Sequence, residues 1–473
     1  MSPIDDVDTI RQDLEKIVSP KYVSSSMFER IKNALDPFPY ELEKDQIPYV
    51  VVVPGDKREI SEIVKYANAR KVPLFVRGSG THLGGASRPH THGIFLNTRR
   101  LNKIEILDEY GFFECEPGCI CANVEEELKK KGYFLPMAPG SRLIATMGGL
   151  IANNTSGHVI DTSIGKPGDY VYGLEVVLPN GEIIETGTMG LRRPAGLNLT
   201  NFFVGSDGLL GIITKIRMRL LPPVYKAYGT VIFDDLVSMA KGVQRMYREM
   251  RPAPLFMEFM DHKSAKIGYT IKGLDPPNGS VIFFVSIGSS KEEASHKVNQ
   301  ILESFVAENP IEASKIEDLD LWEKLWSCRE VIGCYLMQRD GYQFSSAEVV
   351  SNLKDLPDCM IEVEHFNSGL PILGQLELFL FGHIGALTFH PGVLIPRQWE
   401  NEKKRAAINE RFQKETELNL KYGTCGGEWG QFAKRTPFFI KRYGQASYDL
   451  VKGMKKLLDP NNILNPGILE GYR

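Results

Sequence analysis

The residues best suited to chemistry by type and spacing lie between Arg77 and Gly85, in Arg-Gly-Ser-Gly-Thr-His-Leu-Gly-Gly. Gly78, Gly80, Gly84 and Gly85 permit positive φ and close backbone approach, so successive N–H groups can turn inward as an anion-binding nest, with Arg77 adding charge. Phosphate is the expected guest. Glycine clusters also make plain turns, so the loop alone does not decide. A second cluster, Cys115, Cys119 and Cys121, has C-x3-C-x-C spacing that fits no common zinc or iron–sulfur pattern and lacks a fourth ligand nearby. These thiols are read as core or turn residues.

The elements that must present the loop are legible upstream. Tyr49–Val53 and Pro73–Val76 are short apolar runs, too short for helices and bounded by turn residues, and so read as buried strands. Between them Ile60, Ile63, Val64 and Ala67 repeat at i, i+3, i+4 and i+7 on a helix that Asp56 can cap. That is a βαβ unit feeding the loop. Downstream, Ala122–Lys131 reads as a helix, and Ala145–Ser156 is small and uncharged throughout, fitting either a buried helix or a segment against a large flat cofactor. Asn180-Gly181 marks a hairpin between strands Gly173–Leu178 and Glu182–Thr186, and Pro222-Pro223 marks a boundary. Beyond it, strand Ala227–Phe233, helix Leu236–Met250, strands Leu255–Met260 and Ser280–Ile287 and helix Glu292–Glu308 give a β-α-β-β-α order, expected to form a ferredoxin-like sheet.

With 473 residues the chain can build two or three domains. Its 56 basic and 59 acidic residues give a net charge of −3 without a single-sign block, which argues against nucleic acid or a membrane surface as partner. The N-terminus is acidic and amphipathic, with no secretory pattern, and no apolar run is long enough to span a bilayer. A cytoplasmic protein with seven reduced cysteines is the expectation.

Two further stretches, PGSRLIATMGGLIANNTSG from Pro139 and FVGSDGLLGIIT from Phe203, follow the glycine loop in an order and spacing that resemble the FAD-binding domain of the vanillyl-alcohol oxidase type. The C-terminal third continues the likeness: FGHIGALTFH, GGEWG and DPNNILNPG resemble the FAD-linked oxidase C-terminal region of D-lactate, glycolate and D-2-hydroxyglutarate dehydrogenases. The resemblance implies an α+β fold. Its parts are a helical lead-in at 1–47, an FAD-binding domain at 48–223, a ferredoxin-like α/β cap or substrate domain at 224–396, and a helical segment at 397–473 that returns to the FAD domain. It further implies that FAD is held by Arg77, Gly78, Ser79, Gly80, Thr81, His82 and Gly84, by Pro139, Gly140, Ser141, Thr146, Gly148, Gly149, Asn154 and Gly157, and by Gly211, Ile212 and Asn465. Some members of the wider superfamily tether FAD through a histidine in the loop, four residues after the arginine. Here His82 is five residues after Arg77, so non-covalent FAD is expected.

The likeness also carries a reaction, FAD-dependent dehydrogenation or oxidation of a CH–OH group. Arg329, in LWEKLWSCRE, matches the cap motif of a tryptophan followed three positions on by arginine, and a planar guanidinium suits a substrate carboxylate. His383 and His390 have the spacing of two metal-binding histidines and Glu428 matches the third ligand. Two imidazoles and a carboxylate suit zinc or a similar divalent ion that binds the substrate hydroxyl. The departures are specific. Trp429 stands where the family has a histidine thought to take the substrate proton, Ala386-Leu387-Thr388 replaces Asp-Gly-Asn, and Gln343 falls near the usual lysine.

Three readings follow. The first is an FAD-dependent oxidoreductase of a small 2-hydroxy acid such as D-lactate or glycolate. The second is an oxidoreductase of a hydrophobic or aromatic alcohol or hydroxy acid, with Trp429 lining the pocket. The third is a flavin-holding electron-relay subunit of a larger complex. Lacking an iron–sulfur motif, the chain would pass electrons to an external acceptor, whether an iron–sulfur protein, an electron-transferring flavoprotein, a cytochrome or a quinone. Both a homodimer and a subunit of a complex remain open.

Overall fold

The computed structural model describes residues 7–155, 157–193, 196–249, 251–424, 426, 428, 430 and 435–470. The chain forms two units: residues 1–155, 166–222 and 428–473 make the first, and 156–165 with 223–427 the second.

The first unit contains two sheets. β1 (Val23–Ser24), β2 (Val50–Val52), β3 (Leu74–Arg77) and β4 (Ile94–Asn97) form a four-stranded sheet in the order β1-β2-β4-β3. The three central valines of β2 are buried, and β2–β4–β3 run parallel, as the βαβ reading requires. The intervening helix spans Lys57–Arg70. Asp56 caps it by accepting hydrogen bonds from the amides of Arg58 (2.7 Å) and Glu59 (2.9 Å), and Lys71, in the left-handed region, ends it. Its apolar stripe Ile60, Ile63, Val64 and Ala67 joins Val50, Leu74 and Ile94 in one core.

β5 (Ile104–Leu107), β6 (Phe112–Cys115), β7 (Val171–Val177), β8 (Ile183–Glu185) and β9 (Ile212–Arg219) form a second, antiparallel sheet in the order β5-β6-β9-β7-β8. The Asn180-Gly181 hairpin joins β7 to β8, with Gly181 at φ 84°. Cys115, Cys119 and Cys121 are buried in the core beneath this sheet as free thiols.

β3 would leave an open edge beside the glycine loop. The C-terminus closes it. The amide of Leu74 donates to Ile463 O (2.7 Å), that of Asn465 donates to Leu74 O (2.9 Å), and Asn465 Oδ1 accepts from Val76 N (3.1 Å). Asp459 holds this segment by accepting from the amides of Ile463 and Leu464, and it also takes an ion pair from buried Lys455 at 2.6 Å.

The second unit is built on one large sheet from β10 (Tyr225–Phe233), β11 (Phe256–Met260), β12 (Ser280–Gly288), β13 (Glu312–Ile316), β14 (Tyr342–Ser346), β15 (Val349–Val350), β16 (Leu378–His383) and β17 (Thr388–Pro396). The order β13-β10-β12-β11 is that of a ferredoxin-like sheet. It continues through β16-β17-β14, with β15 pairing β17. Helices Leu236–Arg248 and Lys291–Val306 cover one face. Gly242 gives the ring of Phe305 its place, since an added Cβ would come within 2.4 Å of it. The sequence reading ran directly from β11 to β12, but a helix, His262–Ile271, stands between them. Asp261 caps it by accepting from Ser264 N (2.9 Å), a signal present in the sequence and obscured by Gly268 and by the β-branched Thr270 and Ile271. Helices Leu319–Met337 and Asn401–Tyr422 also belong to this unit.

Candidate functional site

In the first unit the glycine loop leaves β3 at Arg77. The Arg77 guanidinium does not extend outward. It donates to Asn33 O and, at 3.4 Å, to Ser79 O, bracing the loop from within, and burial holds its pKa below the usual arginine value. Gly80, at φ 69°, lies directly over that guanidinium, and a Cβ there would fall 1.8 Å from Arg77 Nε. Gly78 packs on Thr146, where a Cβ would meet Oγ1 at 1.8 Å. The glycine loop and the TMGG stretch are thus in contact. Thr146 precedes the helix Met147–Asn153, which Asn154 ends in the left-handed region at φ 57°.

Other residues of the FAD set have defined places. Gly148 is held against Pro117 and Gly211 against Val176; Ile212 is buried in β9, and a Cβ added at Gly149 would meet Thr146 Oγ1 at an ordinary 3.4 Å. Asn154 Oδ1 accepts from Gly168 N (2.9 Å), and Asn465 Nδ2 donates to Asp207 O and Gly208 O. Pro139 and Ser141 shape a turn through their carbonyls, which accept from Arg142, Ile144 and Ala145; exposed Gly140 lies between them. Gly157, at φ 67°, counts with the second unit.

His82 Nδ1 accepts from the amides of Gly84 (3.0 Å) and Ala86 (3.3 Å), which fixes the Nε2–H tautomer. Burial, assisted by the charge of Arg435, lowers its pKa to about 4, so the ring is neutral at pH 7. Asn153, absent from the sequence-based set, stands 3.1 Å from both His82 Nε2 and Asp207 Oδ1. Burial raises the Asp207 carboxyl to about 6. Residues 78–81 are half-exposed and carry nothing larger than threonine, leaving the backbone accessible as a diphosphate requires.

In the second unit the hairpin β16–β17 explains the spacing of the two histidines. Phe381 lies opposite His390 and His383 opposite Thr388, so both imidazoles project from one face of the sheet. Their rings are 5.0 Å apart and nearly perpendicular. β11 pairs with β16 through Phe259↔Gly382, and continuing that register brings Glu258 opposite His383. Glu258 is 0% exposed. Its Oε1 is 2.5 Å from His383 Nδ1 and 3.1 Å from His158 Nδ1, while Oε2 is 2.7 Å from Arg329 Nη2. Burial alone would raise the Glu258 pKa, but His383, His158 and Arg329 together hold it well below the usual carboxylate range.

Arg329 reaches this carboxylate from helix Leu319–Met337, on the same stripe as Trp322 and Trp326. The two indoles stack at 6.0 Å, and Phe256 packs on Trp326 at 4.8 Å, giving the cluster an aromatic wall. Arg329 is 5% exposed, and its Nε makes no hydrogen bond among the described residues.

Both histidines suit a metal. His383 donates Nδ1–H to Glu258, and His390 Nδ1 is 3.2 Å from Ala347 O. Each ring therefore carries its lone pair on Nε2, the tautomer that outer-shell carboxylates and carbonyls impose on metal-ligating histidines. Glu428 is half-buried and opens the last segment of the first unit; Trp429 lies outside the described residues. Ala386-Leu387-Thr388 forms the turn of the hairpin, with Leu387 at φ 55°.

The sequence reading missed Glu258 and His158. Glu258 did leave a signal, as the one charged residue in the apolar strand FMEFM. His158 left none, because its place depends on a segment that joins the second unit from within the first unit's sequence.

Comparison with known proteins completes the picture. Residues 48–187 match the family described as FAD binding domain, and residues 222–469 match FAD linked oxidases, C-terminal domain. The chain belongs to the FAD-linked oxidases. It is therefore an FAD-dependent oxidoreductase, with the flavin-binding domain and α+β fold that the motifs implied. This FAD-linked oxidase is 28% identical to "Glycolate oxidase subunit GlcD" of Bacillus subtilis (strain 168), over 97% of the chain and 96% of the relative. It is 29% identical to "D-lactate dehydrogenase" of Archaeoglobus fulgidus, over 89% and 90%. In fold it is similar to p-cresol methylhydroxylase (TM-score 0.80, 17% identity, 99% of this chain and 98% of that one). It is also similar to 4-ethylphenol oxidase from Gulosibacter chungangensis (TM-score 0.79, 16% identity, the same coverage). Among the described residues, no helix is long and apolar enough to cross a membrane.

Proposed function

We propose that this FAD-linked oxidase dehydrogenates a 2-hydroxy acid of the D-lactate or glycolate kind and passes the electrons to an external acceptor. The observation that carries this reading is the buried set on one face of the second unit's sheet: two imidazoles in the Nε2 lone-pair tautomer, beside a guanidinium whose Nε makes no hydrogen bond among the described residues. Relatives named for glycolate and D-lactate support the substrate class.

The reaction removes a hydride from the carbon and a proton from its hydroxyl. FAD, when bound, supplies the two-electron acceptor for the hydride. A divalent ion held by His383 and His390 would lower the pKa of the hydroxyl. Arg329 orients the carboxylate with the nitrogens that Glu258 does not use. Glu258 fixes the tautomer and angle of His383. Non-covalent FAD is supported by His82, whose Nδ1 already accepts two backbone amides. The electron acceptor is proposed to be a quinone, a cytochrome, an electron-transferring flavoprotein or an iron–sulfur protein.

The aromatic wall of Phe256, Trp322 and Trp326 favours a second reading, a substrate with an aromatic or long apolar substituent. Anaerobic mixing with glycolate, D-lactate, D-2-hydroxyglutarate, D-mandelate and aryl alcohols, followed by flavin bleaching, tests both. Bleaching by a 2-hydroxy acid is expected. Reduction by aryl alcohols alone would overturn the carboxylate reading, and no reduction by any of them would favour an electron-relay subunit. Trp429→His should move the preference towards the smaller acids.

A further inference from the structure

His158 has no assigned role, and its chemistry is conspicuous. It is 6% exposed, and neither ring nitrogen makes a hydrogen bond among the described residues. Nδ1 lies 3.1 Å from Glu258 Oε1, within ion-pair range but off the line a hydrogen bond needs. Leaving a buried polar atom in that state is destabilising, so such groups persist where something else satisfies them.

The position of His158 is fixed by its neighbours. Val159 and Ile160 are buried, the Ile160 amide donates to Leu255 O (2.8 Å), and Ser163 Oγ donates to Ala253 O (3.3 Å). The ring meets Trp326 edge-on at 5.2 Å and His383 at 5.3 Å. Glu258 thus sorts the cluster into two ends. Oε1 faces the imidazoles of His158 and His383, and Oε2 faces the guanidinium of Arg329.

A 2-hydroxy acid has the same polarity, with a hydroxyl at one end and a carboxylate at the other. We propose that His158 is a substrate-contacting residue whose Nε2 hydrogen-bonds the hydroxyl oxygen of the reacting carbon, while Arg329 takes the carboxylate. This inference rests on the 2-hydroxy-acid reading above and deepens it. It also supplies a polar contact to the hydroxyl in a chain whose residue 429 is an indole, which offers only an N–H donor.

The test uses the FAD-loaded full chain and whichever of glycolate, D-lactate, D-2-hydroxyglutarate or D-mandelate reduces the wild-type flavin fastest. Its partner probe is the analogue without the hydroxyl: acetate, propionate, glutarate or phenylacetate. His158→Leu is expected to slow flavin reduction and weaken hydroxy-acid binding at least thirtyfold together, leaving binding of the deoxy acid, FAD content and metal content within twofold of wild type. His158→Gln, which keeps a hydrogen-bonding side chain, should recover at least tenfold of the loss. The inference is overturned if His158→Leu reduces its flavin at the wild-type rate. It is equally overturned if both probes lose affinity alike, or if the variant loses FAD or metal, since each would mark a carboxylate contact or a structural role. If no hydroxy acid reduces the wild-type flavin, the substrate class falls and this inference with it; a fast wild type beside an unaffected variant overturns the inference alone.

Discussion

Glu258 is the most exacting place to test the second unit's architecture. Replacing it by alanine removes the carboxylate 2.7 Å from the Arg329 guanidinium and leaves that cation in a site where its side chain is 7% exposed. Removing one partner of a buried ion pair costs about 3–5 kcal/mol, because the remaining charge stays desolvated and uncompensated. The second unit has roughly 200 residues, for which 1 kcal/mol moves the melting temperature by about 2–4 °C, so its transition should fall by roughly 6–20 °C. Differential scanning calorimetry and urea titration of Glu258→Ala would read this directly. Adding Arg329→Met should restore most of the loss, since a pair replaced by apolar side chains can be close to neutral. Glu258→Gln, which can still accept from His383 but cannot neutralise Arg329, should fall between. If Glu258→Ala melts with the wild type, or the double variant is as unstable as the single one, the cluster is not held by charge and the argument fails.

Four further outcomes are expected. Gly80→Val places a β-branched side chain at φ 69° and on the Arg77 guanidinium. Strain of about 1–3 kcal/mol plus displacement of charged hydrogen bonds should lower FAD affinity at least tenfold, read by the ratio of FAD to protein after gel filtration. His383→Ala should lose about one divalent metal per chain by elemental analysis, together with flavin reduction; fully active metal-free wild type would remove the metal site. His82 has a folded pKa of about 4, below its unfolded value near 6.5, so its contribution is complete above 6.5 and is lost as the pH falls towards 4. His82→Gln should flatten that part of the stability-versus-pH curve, and an unchanged slope would assign it to other groups. Leu387, at φ 55° with a branched side chain, should be improved upon by glycine: Leu387→Gly is expected to gain up to about 1 kcal/mol in chemical denaturation, and a loss would show that packing of the leucine outweighs its backbone strain.

What the sequence by itself determined was local and ordered. The stripe Ile60, Ile63, Val64 and Ala67, the Asp56 cap and the Asn180-Gly181 hairpin state their own geometry, because a helix face, a cap and a tight turn are each specified within a few residues. Motifs in fixed order likewise pointed to the flavin-binding family that the comparisons returned. Only the tertiary structure decided which charges meet. Glu258 and His383 lie 125 positions apart and are joined by strand register, while Arg329 arrives from a helix and His158 from a segment embedded in the sequence of the other unit. The Arg77 side chain shows the same limit. Its sequence neighbours allow it to face a phosphate, whereas the carbonyl of Asn33, 44 residues away, draws it under Gly80. Burial and pairing are properties of what packs around a residue, so a lone glutamate in an apolar strand could signal that a partner exists but could not say which residues supply it.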